Sequence, residues 1–147
     1  MREPSLNRVA LAATWHCLTG CAIGEILGLV IASSLDWGNL ASIAIAVVLA
    51  FFFGYSLTLR PLVRGGVALR QAARVALAAD TVSLTVMEIV DNAIVLLVPG
   101  AMAAGLVEPV FWWSLVLGLA LAFVAAFPVN RLLIARGRGH AVVHAHH

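Results

Sequence analysis

At 147 residues, 63% hydrophobic and only 11% charged, the chain is too apolar for a water-soluble globule, because soluble domains are about half apolar and about a quarter charged. The formal net charge of +2 is small and its arginines lie between apolar runs, which gives nucleic acid no basic patch to bind. Two cysteines within a single apolar run are not the disulfide framework of a secreted domain.

Four apolar segments, 9–33, 40–59, 75–102 and 111–134, are each long enough to cross a bilayer as a helix. The first exceeds the 7–15 residues typical of a signal-peptide core and contains Glu25, so it reads as a retained membrane helix. The first and third connections carry Asp36 and Glu108 and no basic residue. All nine arginines fall at the other side: Arg2 and Arg8, then Arg60, Arg64, Arg70 and Arg74, then Arg131, Arg136 and Arg138. The positive-inside rule then places both termini in the cytoplasm, and Trp37, Trp112 and Trp113 at the opposite interface fit as aromatic anchors. The pattern predicts an all-α integral membrane four-helix bundle over residues 1–139, in a multi-pass inner-membrane protein. Residues 140–147 are a tail with four histidines that could gather a divalent metal on the cytoplasmic side.

The first segment is unusual in its polar content. Cys17, Cys21 and Glu25 stack at i, i+4 and i+8, beside a stripe of Gly20, Gly24 and Gly28. Small residues at that spacing let a second helix approach closely, either within the chain or from another copy. The motif Arg8-Val-Ala-Leu-Ala-Ala13 recurs as Arg74-Val-Ala-Leu-Ala-Ala79. That offset pairs Cys17 with Ser83, Cys21 with Met87 and Glu25 with Asp91. The chain therefore reads as two parallel-repeat helical hairpins related by an axis along the membrane normal. Helices one and three are expected to pool their polar groups there.

Two chemistries fit this constellation. Thiolate and thioether are soft ligands suited to Cu(I), so Cys17, Cys21 and Met87 form a candidate copper site. Glu25 and Asp91 would add charge, and His16 joins only if its ring bends inward. Alternatively, the third segment places Thr81, Thr85, Glu88 and Asn92 along one face, with Asp80 towards the cytoplasm and Asp91 nearby. Ionised carboxylates at that depth are costly, and no Lys or Arg lies within a span to pair with them. A bound cation or a shared proton compensates, which makes Glu25, Glu88, Asp91, Asn92 and Thr85 a candidate ion or proton pathway. A third possibility is that these groups only join helices in a membrane assembly subunit. A thiol redox role is disfavoured, because cysteines four apart on a helix are poorly placed for an unstrained disulfide. No P-loop, dinucleotide fingerprint or CxxC motif is present, and the chain is not expected to be an enzyme. Pro99-Gly100 is expected to break or kink helix three near the outer face, and Pro128 to do the same in helix four. Four spans make a thin wall for a pathway, so a homo-oligomer, a dimer first, is expected within the lipid bilayer.

The segments Trp15-His-Cys-Leu-Thr-Gly-Cys-Ala-Ile-Gly-Glu25, Asp80 through Asn92, Pro99-Gly-Ala-Met102 and Pro128-Val-Asn-Arg131 resemble the DUF4396 family of bacterial membrane proteins of unknown function. The likeness covers nearly the whole chain. It implies a small multi-span protein, with some members labelled copper-related, and brings no catalytic residue with it.

Overall fold

The computed structural model describes residues 5–137. Arg2, Arg138 and the histidine-rich tail expected over 140–147 lie outside the described residues. Four helices run α1 (Leu6–Ser34), α2 (Asn39–Arg64), α3 (Leu69–Leu97) and α4 (Pro109–Ala135). Ser5 starts α1, its hydroxyl accepting the Arg8 N–H at 3.4 Å, the usual capping of a free first-turn donor. Pro109 opens α4, where a missing N–H costs nothing.

The third helix departs from its expected span of 75–102. It starts six residues earlier, since Leu69-Arg-Gln-Ala-Ala-Arg74 are good helix formers that an apolarity reading passes over. It ends at Leu97 because Pro99 forces Val98 into extended backbone, with ψ 119°. The Pro99-Gly100 pair therefore breaks the helix, one of the two outcomes expected of it, and Gly100 takes up φ +79° in the turn that follows. Pro128 does lie inside α4, as expected.

Consecutive helices pack side by side, α4 closes against α1, and α1 and α3 meet across the diagonal. The result is an all-α four-helix bundle. α1, α2 and α4 are long and apolar enough to cross a membrane. α3 matches them in length, at 29 residues, but carries Asp80, Glu88 and Asp91. All three carboxylates are buried inside the bundle, whereas Leu77, Val82, Ile89 and Leu96 face outward. The outer surface of α3 thus presents apolar side chains, with the exposed Thr81 and Thr85 among them.

The interior is narrow because its lining is small. α2 buries Ala46, Ala50, Gly54, Thr58 and Leu62, every fourth residue, and α4 buries Ser114, Gly118, Ala122, Ala126 and Asn130 at the same interval. The glycine stripe of α1 fits into α2. A Cβ at Gly20 would lie 2.6 Å from the Gly54 Cα, and Gly24 and Gly28 sit as tightly on Ala50 and Ala46. The stripe therefore serves a contact within the chain, which decides between the two uses its spacing allowed. The narrow bore brings diagonal α1 and α3 into touch at the centre.

Candidate functional site

The diagonal contact sets out four levels along the bundle axis. Nearest the arginine-bearing end, Thr14, Asp80, Ser83 and Asn130 are all within 1% of complete burial. The Asn130 amide nitrogen donates to Thr14 Oγ1 and to Ser83 Oγ, each at 3.0 Å. Thr14 in turn donates to the Ala10 carbonyl at 2.7 Å. The Cys17 thiol, next along, donates to Asp80 Oδ1 at 3.8 Å. His16 turns away from this axis toward α2, with Nε2 2.6 Å from Thr58 Oγ1.

The next level is apolar. Cys21 Sγ lies 3.9 Å from Met87 Sδ, its partner 66 residues on. Both sit in a cluster with Cys17, Leu84, Ala50, Ala122 and Ala126. Cys21 and Met87 are the pair that the repeat predicts, and they meet as expected.

Beyond the sulfurs comes a carboxylate level. Glu25 interacts with both Glu88 and Asp91 across the diagonal. Asn92 Nδ2 donates to the Glu88 carbonyl at 2.8 Å and to Glu88 Oε2 at 3.3 Å. Glu25 Oε1, Glu88 Oε1 and both oxygens of Asp91 are buried and accept no hydrogen bond from an N–H or O–H donor among the described residues, although buried polar atoms are nearly always paired; what lies beside them is one another's carboxyl groups. Among the described residues no arginine is buried. Asp91 lies against Gly118 of α4, where any Cβ would collide with Oδ1; the missing side chain is what gives that carboxylate room.

The fourth level is a cavity of about 70 Å³ lined by Glu25, Ser42, Asn92, Ser114 and residues of the Val98–Glu108 connection such as Met102. A water needs only about 10–15 Å³ of such space, so several fit. Glu25 thus stands between the cavity and the more deeply buried Glu88 and Asp91.

Of the residues expected from sequence, Cys17, Cys21, Met87, Glu25, Glu88, Asp91 and Asn92 come together along this axis. His16 and Thr85 do not. Thr85 is exposed and its hydroxyl donates to the Thr81 carbonyl at 2.6 Å. That is how a threonine satisfies itself on an outward helix face. Among the described residues no group of three or more His, Cys, Asp or Glu side chains is arranged to hold a metal ion. Sequence reading passed over Thr14 and Asn130 as site residues. The 66-residue offset does pair Thr14 with Asp80, as it pairs Cys17 with Ser83, so it carried a signal for half of that level.

No curated protein and no solved structure matches the chain. A family model described as a domain of unknown function matches residues 6–139, a stretch that takes in all four helices and every level of the axis, and the chain belongs to that family, DUF4396.

Proposed function

We propose that this is a membrane protein that binds and passes protons, with Glu25, Glu88 and Asp91 as the exchanging groups. In this reading it spans the bilayer four times with both termini in the cytoplasm, and works as a dimer in a bacterial inner membrane. The supporting observation is the carboxylate level: three acids in mutual reach, four of their oxygens with no N–H or O–H donor and no basic side chain beside them among the described residues, and a water-sized cavity ending at Glu25. Three negative charges there would repel strongly in a medium of low dielectric. A shared proton relieves that cost without a coordination shell, and no such shell is preformed for a metal among the described residues. A small hard cation is the variant of the same reading.

The test is proton flux into liposomes holding purified protein and a trapped pH-sensitive dye. Glu25→Gln and Asp91→Asn should each lower the flux tenfold or more while the helical spectrum stays unchanged. Flux equal to wild type in both variants overturns the reading.

A second reading, a soft metal site with Cu(I) first, draws on the sulfur level. Cys21 and Met87, whose sulfurs lie 3.9 Å apart, would hold such an ion as soft ligands, with Cys17 one turn away. Cu(I) titration of protein lacking residues 140–147 decides it. Stoichiometric copper lost in a Cys17→Ser/Cys21→Ser double variant would support it, and no copper above background would refute it.

A further inference from the structure

We propose that the buried polar level at Thr14, Cys17, Asp80, Ser83 and Asn130 is a second proton-exchange station, hydrated at Asn130 Oδ1, and that the Cys21–Met87 contact is the barrier between it and the outer carboxylates. The proposal rests on the proton reading above and extends it through the membrane.

Asn130 is 1% exposed, and its amide nitrogen already serves Thr14 and Ser83. Its carbonyl oxygen has no partner. An amide oxygen in that position calls for an O–H or N–H donor, and an ordered water is the common occupant beside several other polar groups. Asp80, in the same level through Cys17, is a group that can take up and release a proton. Three helices lend this level buried polar side chains: Thr14 and Cys17 from α1, Asp80 and Ser83 from α3, and Asn130 from α4. A layer built only to join two helices does not need the third.

Position along the axis supplies the rest. Asp80 and Glu88 are eight residues apart on α3, about 12 Å at the helical rise of 1.5 Å per residue. Between them lie Leu84 and Met87, fully buried and apolar, with the Cys21 thiol set between Met87 and Glu88. Thioethers are flexible and unbranched, so Met87 can swing aside where a branched side chain would not. In the step itself a proton leaves an outer carboxyl, crosses by water when Met87 moves, and adds to an Asp80 oxygen. Asp80 then releases it to water on the arginine-bearing side, and no electrons change hands.

The experiment is the same liposome flux measured for Met87→Ser, Met87→Leu, Asp80→Asn and the Met87→Ser/Asp80→Asn double variant, each checked for helical content. Met87→Ser, which makes the barrier polar, should raise flux threefold or more, and Met87→Leu should not. Asp80→Asn should cut flux tenfold in both the wild-type and the Met87→Ser backgrounds. Equal flux in the serine and leucine variants overturns the proposal, and so does indifference to Asp80→Asn. If wild-type flux ignores both Glu25→Gln and Asp91→Asn, the carboxylate reading falls by itself, and the Asp80 sensitivity of Met87→Ser still decides the inner station. A silent wild type with a silent Met87→Ser refutes both. Should Asp80→Asn fail to fold, the serine–leucine comparison at Met87 alone upholds or overturns the proposal.

Discussion

Replacing Gly20 by alanine places a methyl group where α1 and α2 already touch. The new Cβ would stand 2.6 Å from Gly54 Cα and 2.8 Å from its nitrogen, against an ordinary limit of 3.4 Å. Both obstacles are backbone, so no side chain can rotate away and the helices must part by the 0.8 Å difference, 3.4 minus 2.6. Overpacking costs about 1–3 kcal/mol, and a clash with backbone atoms that cannot rotate away falls in the upper part of that range, about 2–3 kcal/mol. Alanine returns about 1 kcal/mol through its better helix propensity, which leaves a net loss of about 1–2 kcal/mol. Thermal unfolding in detergent, followed by circular dichroism, should show a midpoint lowered by roughly 3–8 °C. Gly105→Ala is the matched control, because nothing lies within 4 Å of its Cβ position. A Gly20→Ala protein as stable as the Gly105→Ala protein would show that the α1–α2 seam is not closed as described.

Two further outcomes follow from particular contacts. Gly118→Ala should displace the Asp91 carboxylate and lower proton flux severalfold with little change in helical content; unchanged flux would remove Asp91 from the exchanging set. Asn130→Leu strips Thr14 and Ser83 of a shared donor, a loss of about 1–3 kcal/mol, read as a lower unfolding midpoint than in an Asn7→Leu control at the exposed Arg131 contact.

Hydropathy alone locates the helices because a bilayer-length run of apolar residues has few other solutions. It misplaces the ends of α3, where Arg70 and Arg74 are helical but not apolar and where Pro99 stops the helix among residues that remain apolar. The pairings of Cys21 with Met87 and Glu25 with Asp91 were legible because the sequence carries a similar stripe twice, 66 residues apart. The Asn130 level was not. A single amide in an apolar helix says nothing about a threonine 116 residues away, and only packing reveals that both are shut away from water. Thr85 misleads for the converse reason: helical spacing puts it near Glu88, but a small rotation of α3 separates the buried from the exposed side of that face.

Where Cys21 meets Met87, the diagonal contact joins unlike residues. A thiol opposes a thioether, and a glutamate an aspartate one methylene shorter, so that only the glutamate lines the cavity. In a bundle of two identical hairpins, any residue at the point of closest approach would face a copy of itself, and each mutation would act twice. Here each position can be exchanged singly, so the two halves of the diagonal contact answer separately to substitution.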